Sequence, residues 1–278
     1  MLGRKKEQAT PRNVLVHFHI FKNGGTSFDY ALKREFGKGF SEYDGNQASS
    51  VHLPEEIAAY LVKRPRVRAL SSHHLRFPLP EVEGLSLFGV VFLRHPLDRV
   101  HSIYKYERKQ KSDSPGSKHA KKYSFPDYVQ WRLDRGRVNL LCNYHASILT
   151  CNPREERRVP DGELAQARLK EVAVCGTVDQ LEASLAVAEQ QLSAFFPGIN
   201  LATTPQNVTA GRKSTLQERI DEAEKACGSE LFADVAARND LDLDLYALAG
   251  ELLHERLHAL GDGLGRLEAY RKRCGQLA

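Results

Sequence analysis

The chain has 278 residues, with 40 Lys and Arg against 35 Asp and Glu, a net charge of +5 when histidine is neutral. At 41% apolar and 27% charged residues it has the make-up of a globular protein with a sizeable core, which excludes general disorder. No apolar run approaches the ~18 residues of a membrane span, and residues 1–10 lack the apolar segment of a secretory signal. No transmembrane segment and no nucleic-acid partner are therefore expected, while the small cationic excess is compatible with an anionic ligand.

One domain is expected over residues 13–262, after a disordered or extended N-terminus (1–12) and before a C-terminal tail (263–278). Val14-Leu15-Val16-His17-Phe18-His19-Ile20 reads as a strand, β-branched and aromatic and bounded by Pro11 and the Gly24-Gly25 pair. Phe28, Ala31, Leu32 and Phe36 then recur at helical spacing, with Thr26 or Ser27 as the expected cap. Residues 55–62 follow Pro54 as a short helix, and residues 67–71 form a candidate second strand. Residues 85–93 are almost wholly apolar, as in a strand covered on both faces, and Pro96 opens a helix. Two strand-to-helix units predict an α/β fold: three layers around a central parallel sheet, with a strand–turn–helix like that of a P-loop.

Residues 110–122, rich in Lys, Ser, Gly and Pro, are expected as a mobile surface loop. Helices are predicted at 125–134, 138–149 and 163–171, with a polar turn at 152–162 between the last two. A buried strand follows at 172–178, then a helix at 181–195 ended by Pro197-Gly198, a polar loop at 200–214 and a helical C-terminal part. The five cysteines, Cys142, Cys151, Cys175, Cys227 and Cys274, are odd in number and show no CxxC spacing. They predict reduced thiols in a cytoplasmic setting, with room for one disulfide.

Two motifs carry chemistry. Phe21-Lys22-Asn23-Gly24-Gly25-Thr26-Ser27 lies between a strand and a helix. Adjacent glycines let the backbone approach a ligand and expose consecutive N–H groups, and the helix start adds its positive end, so the turn suits phosphate or sulfate. Lys22 precedes the glycines, unlike GxxxxGK[ST], and there is no GxGxxG. The second motif is Leu93-Arg94-His95-Pro96-Leu97-Asp98-Arg99-Val100-His101-Ser102-Ile103-Tyr104. Arg94 stands at the carboxyl end of an apolar strand, where open α/β sheets bind ligands. An Arg with a hydroxyl, here Ser102, can clamp phosphate.

In this order the two motifs resemble those of sulfotransferases that use 3′-phosphoadenosine 5′-phosphosulfate (PAPS), above all the carbohydrate group that includes heparan sulfate 2-O- and 6-O-sulfotransferases and their bacterial relatives. Residues 19–27 resemble the family's HxPKTGGTS loop for the 5′-phosphosulfate, with Phe21 in place of the usual Pro and Asn23 in place of Thr. Arg94 through Ser102 and Tyr104 resemble its RxPxxRxxSxY motif for the 3′-phosphate. Residues 174–185 resemble a late strand–helix segment, and residues 239–246 an N-x-x-D-x-x-LY helix. The resemblance implies transfer of a sulfuryl group to a hydroxyl of a carbohydrate or other acceptor, without a metal. It assigns Lys22 to the sulfuryl group, and Lys22, Asn23, Gly24, Gly25, Thr26 and Ser27 to the 5′ end of the donor. It assigns Arg94 and Ser102 to the 3′-phosphate, and Arg212 and Lys213 to a late basic loop over the nucleotide.

Ser71-Ser72-His73-His74-Leu75-Arg76-Phe77 resembles the family's GHxxF segment with its base histidine. His74 fits that register, and His73 is the alternative. His17 and His19 share a strand face and would form a metal site with His73 and His74, but no carboxylate stands at a metal-motif spacing, so no metal is expected. Trp131 is a core or acceptor-cleft residue. Two other classes stay open: a Mg²⁺-dependent nucleotide or small-molecule kinase using the same Gly turn, and a nucleotide-binding module without turnover. A bacterial cytoplasmic enzyme is expected, with a luminal fragment of a Golgi enzyme as the alternative. Neither oligomeric state nor acceptor identity is legible.

Overall fold

The computed structural model describes residues 10–47, 49–136, 139–151, 159–204, 206, 213 and 215–277. The order of elements is β1 (Arg12–Phe18), α1 (Gly25–Phe36), β2 (Phe40–Glu42), α2 (Pro54–Val62), β3 (Ala69–Ser72), β4 (Leu85–Leu93), α3 (Pro96–Lys109), α4 (Pro115–Lys122), α5 (Phe125–Leu133), α6 (Tyr144–Thr150), α7 (Gly162–Glu171), β5 (Val174–Thr177) and α8 (Leu181–Leu192). Four helices complete the chain: α9 (Leu216–Cys227), α10 (Ser229–Ala237), α11 (Asp240–Ala259) and α12 (Gly263–Gly275).

The five strands are all parallel, in the order β2-β3-β1-β4-β5. β1 is central, and Leu15–Phe18 pair with Ala69–Ser72 on one side while Arg12–Phe18 pair with Leu85–Val91 on the other. Side chains alternate across a strand, so β1 feeds two cores. Val14, Val16 and Phe18 pack with α2, α6, α7 and α11 on one face of the sheet. Leu15 packs with Phe28 and Leu32 of α1, Leu185 of α8 and Tyr270 of α12 on the other. This is the expected α/β arrangement of helix, sheet and helix. A third cluster joins α3, α4, α5, α9 and α10 beside the sheet.

Two local expectations change, and one strand was not foreseen. Residues 115–122 are helical, not a loop: Ser114 caps the helix by accepting from Ser117 N, Pro115 opens it, Ala120 is buried, and Ser117 Oγ donates to Glu107 O at 2.8 Å. Helix α6 starts at Tyr144, six residues after the expected start, because residues 139–142 close a tight bridge in which Asn139 N and Cys142 N donate to each other's carbonyls. The three-residue edge strand β2 carried too little pattern to be read in the sequence. The five cysteines are all free thiols. Among the described residues no helix is long and apolar enough to cross a membrane.

Phe28, fully buried between the Phe92 and His17 rings, ties α1 to the sheet. Phe28→Ala is expected to cost about 3–5 kcal/mol. Urea unfolding checks this: the midpoint should fall at unchanged slope.

Candidate active site

The turn between β1 and α1 is built from unusual backbone. Lys22 takes φ = +64° and Gly24 φ = +70°, both left-handed. For a lysine this conformation costs about 1–2 kcal/mol. Helix α1 begins at Gly25 with Gly24 as its cap and no side-chain cap bond. Thr26 and Ser27 therefore do not cap the helix as expected. Thr26 is exposed, and Ser27 Oγ instead accepts from Gln206 N at 2.9 Å. Glycine at 25 is required by close packing, since a Cβ there would lie 2.3 Å from His19 Cδ2 and 2.9 Å from His17 Cε1.

The turn is tied down from three directions. Asn23 is buried, and its Nδ2 donates to Phe92 O at 2.9 Å and to His145 Nε2 at 3.0 Å. Its side chain, assigned above to the ligand, points away from the turn's open face and anchors the loop to β4 and α6. Arg99, fully buried, donates through Nε to Phe21 O at 3.0 Å and through Nη1 to Leu140 O at 2.8 Å. Desolvation lowers its pKa to about 10. Arg94 Nη1 donates to Lys22 O at 3.2 Å and Ser102 Oγ at 2.8 Å, while Nε and Nη2 grip both oxygens of Asp98 at 2.8 Å.

The late motif braces these supports. Asp242, fully buried, accepts from His145 N and Ala146 N at the start of α6, and Asn239 Nδ2 donates to Leu141 O. Tyr246 donates to Asp179 and packs its ring on His95.

Lys22, Gly24, Gly25, Thr26, Ser27, Arg94 and Ser102 all line one cavity of about 840 Å³. Sequence reasoning missed several of its other walls: Lys105 and Lys109 of α3, Val178 below Gly24, and Arg219 of α9, whose Nε donates to Asp98 at 3.2 Å. Lys22 Nζ sits 4.6 Å from the centre of the Tyr106 ring. Five cations (Lys22, Arg94, Lys105, Lys109, Arg219) face three carboxylates (Asp98, Glu182, Glu222), so the cavity favours an anion. Helical spacing from Arg94 could have suggested Lys105 and Lys109; nothing near the motifs pointed to Arg219, 117 residues beyond Ser102. Lys213 lies just outside, its carbonyl accepting from Arg219 Nη1 and its charge, after that of Lys105, helping to lower the Glu222 pKa. Arg212 and residues 207–209 lie outside the described residues.

A second cavity of about 290 Å³ shares His19, Thr26, His73 and Gln206 with the first and is otherwise lined by groups such as Tyr30, Lys33, Glu42 and Asp44. The two histidines of the 73–74 pair diverge here. His73 stands at the junction of the cavities, its Nδ1 3.0 Å from Asp44 Oδ2 and its ring stacked on His19 at 3.9 Å. His74 turns inward: its Nδ1 accepts from Gly45 N at 2.8 Å, its ring abuts His52, and burial lowers its pKa. It lines neither cavity. Local register favoured His74; the turn after β3 sends the first of the two adjacent side chains to the cavities and the second into the protein. Trp131 lines neither cavity either; it packs against the helical cluster and stacks on His119 at 4.0 Å.

A carboxylate does reach the strand histidines. Asp29, one turn into α1, contacts His17 Nδ1 at 2.8 Å and His19 Nδ1 at 2.7 Å. These three are the residues among those described whose ligand atoms cluster tightly enough to hold a metal. The expectation that no carboxylate stands at a metal spacing fails because strand and helix bring together positions ten and twelve apart. The HExxH spacing of His254, Glu255 and His258 lies on an exposed stretch of α11 and gathers no third ligand among the described residues.

The model of the Sulfotransferase family matches residues 8–248. An uncharacterized protein of Archaeoglobus fulgidus is 28% identical over 249 residues, spanning 88% of this chain and 98% of that protein.

Two tests follow from the geometry. Gly25→Ala should displace the His19 ring and lower stability by about 1–3 kcal/mol, seen as a lower Tm. Burial raises the Asp242 pKa to about 6 despite the backbone donors of Ala146, His145 and Tyr144. Unfolded Asp titrates near 4, so the stability this group supplies is complete below about pH 4 and is lost as pH rises through about 6. Urea unfolding from pH 4 to 7 should show wild-type stability falling relative to Asp242→Asn over that window.

Proposed function

The chain belongs to the sulfotransferase family, and on that footing we propose that it transfers a sulfuryl group from PAPS to a hydroxyl of a carbohydrate. The observation that carries this reading is the meeting of the glycine turn and the Arg94–Ser102 pair in one cation-rich cavity. The donor nucleotide is anionic at both ends, and the cavity offers separate groups for each. Backbone N–H groups at the start of α1, with Thr26 and Lys22, suit the 5′-phosphosulfate. Arg94, already oriented by Asp98, and Ser102 suit the 3′-phosphate, with Arg219 and Lys105 alongside. Lys213 and Arg212 extend this role to the late loop.

When bound, the donor supplies an activated sulfuryl group with a nucleotide phosphate as leaving group. The protein's part is positioning and charge stabilisation. Lys22 neutralises charge that grows on the bridging oxygen. His73 takes the proton of the incoming hydroxyl, because it faces both cavities while Asp44 holds its Nδ1 and leaves Nε2 for the acceptor. The smaller cavity, lined by Tyr30, Lys33, Glu42 and Asp44, offers the mixed hydrogen-bonding groups that a polyhydroxyl acceptor needs. A kinase would want a carboxylate at a strand end to hold Mg²⁺. Arg94 occupies that place on β4, and the nearby Asp98 is engaged by Arg94 and Arg219.

Thermal shift with 3′-phosphoadenosine 5′-phosphate, ATP and NAD, each with and without Mg²⁺, tests the reading. A bisphosphate at 100 times its Kd should stabilise by about 2.7 kcal/mol, independently of Mg²⁺. Stabilisation by ATP alone and only with Mg²⁺ would overturn it. With a carbohydrate acceptor panel, Lys22→Ala should slow transfer by about 10²–10³-fold.

A further inference from the structure

The amino edge of the sheet, opposite the two cavities, carries a surface of its own. Five cations are exposed there: Lys38 after α1, Lys63 and Arg64 at the end of α2, and Arg66 and Arg68 before β3. Half-buried Arg12, at the head of β1, gathers the loop that bears four of them. Its Nη1 donates to Arg64 O at 3.1 Å, Pro65 O at 3.0 Å and Val67 O at 2.6 Å, and its Nη2 to Leu61 O at 2.8 Å. With those carbonyls turned toward Arg12, residues 62–66 are all exposed. Arg68 N donates to Gly39 O at 2.8 Å, which brings Lys38 alongside. The seven residues of β1, at ~3.3 Å each, put this edge about 20 Å from the glycine turn.

Two features of the patch call for a partner. First, like charges are crowded without compensation. Residues 57–80 contain no Asp or Glu, and neither Arg12 nor any of the five exposed cations forms an ion pair among the described residues. Burial and, after it, the charge of Arg68 lower the Arg12 pKa. Glu83 neighbours Gly84, which accepts from Arg12 N at 2.9 Å, but it too is exposed. Lys63 and Arg64 complement the carbonyl end of α2; Arg66 and Arg68 lie beyond it. Second, apolar side chains stand exposed among the charges. Val62 is 61% and Phe195 45% exposed. Asn13 ties Phe195 to the patch: its Nδ2 donates to Phe195 O at 2.8 Å, and its own carbonyl accepts from Arg68 Nε at 3.3 Å. A soluble polyanion would neutralise the cations but leave both apolar groups in water.

We propose that this edge docks the protein on the surface of an anionic lipid bilayer. The five cations meet phosphate headgroups, while Val62 and Phe195 enter the boundary between headgroups and acyl chains. Docked in this way, the protein lies on the membrane without crossing it. Both cavities, at the carboxyl ends of the strands, then face solution. The inference is independent of the reaction proposed above. Another exposed cationic set, Lys118, Lys121 and Lys122 of α4, supplies an internal control. There Lys118 reaches Asp113 at 3.8 Å and Lys121 Nζ donates to Ser112 O at 3.2 Å.

Cosedimentation of the full chain with vesicles of equimolar phosphatidylglycerol and phosphatidylcholine tests this, against vesicles of phosphatidylcholine alone. Partition into the anionic vesicles only is expected, and it should fall as salt screens the exposed charges. The triple variant Lys63→Gln/Arg64→Gln/Arg66→Gln should partition about 10²-fold more weakly, at roughly fivefold per cation near an anionic surface. Val62→Gln should weaken partition by about 3–10-fold and leave retention on immobilised dextran sulfate unchanged. The triple variant Lys118→Gln/Lys121→Gln/Lys122→Gln, which changes net charge equally, should partition like the wild type. An unchanged Tm in each variant shows that the fold persists, and the salt series on the unaltered protein does not depend on any variant. Failure of the wild type to bind the anionic vesicles overturns the inference, as does equal loss in the two triple variants. Retention on dextran sulfate through residues 63–66 without vesicle binding overturns it in favour of a soluble polyanion. Vesicle binding unaffected by Val62→Gln also overturns it, because the apolar contact that singles out a bilayer is then absent.

Discussion

Arg94 is the hinge pin of the site. One guanidinium binds Asp98 with two donors and spends its other nitrogen on Ser102 and on the backbone carbonyl of Lys22. It thereby joins the end of β4, the first two turns of α3 and the strained turn after β1. The planar fork can do this because its donors are fixed relative to one another; a lysine would offer one mobile point charge. The left-handed backbone at Lys22 and Gly24 is sustained by this bond together with those from Asn23 and Arg99. Each of these supports is buried or half-buried, where a broken hydrogen bond leaves a polar group unsatisfied at about 1–3 kcal/mol.

The supports also explain why so many motif residues do not line the cavities. Asn23, Arg99, Asn239, Asp242 and Tyr246 belong to the segments that carry the family resemblance, yet their side chains bond to the protein itself. They hold the glycine turn against the carboxyl ends of the strands. The cation-rich cavity is the product of that frame, and the smaller polar cavity beside it shares the histidine junction.

Much of this was legible in the chain. The strand–glycine–helix unit, the apolar run of β4 and Pro96 at the head of α3 are local signals, and local periodicity reports them faithfully. That the two motifs meet in one cavity was suggested by the resemblance. What escaped was set by contacts distant in sequence. Arg219 reaches Asp98 across 121 residues, and Asp29 meets His17 and His19 only once the helix folds back over the strand. Which of His73 and His74 reaches the cavities depends on which way β3 ends, information that a dipeptide of identical residues does not carry. Helix α4 escaped for a different reason: its polar composition resembles a loop, and its order comes from a Ser114 cap and from Ser117 bonding to the preceding helix.

β1 lies in the middle of the sheet, and its partners arrive late: β3 begins 51 residues after β1 ends, and β4 ends 75 residues after it. During synthesis the glycine turn emerges early but has no edge to rest on until β4 and α3 have left the ribosome, and Asp242 comes later still. Pairings of this range are slow to close. The shape of the turn is thus a property of the folded whole, so protease resistance of nascent or truncated forms would mark the point in translation at which the protein has completed its architecture.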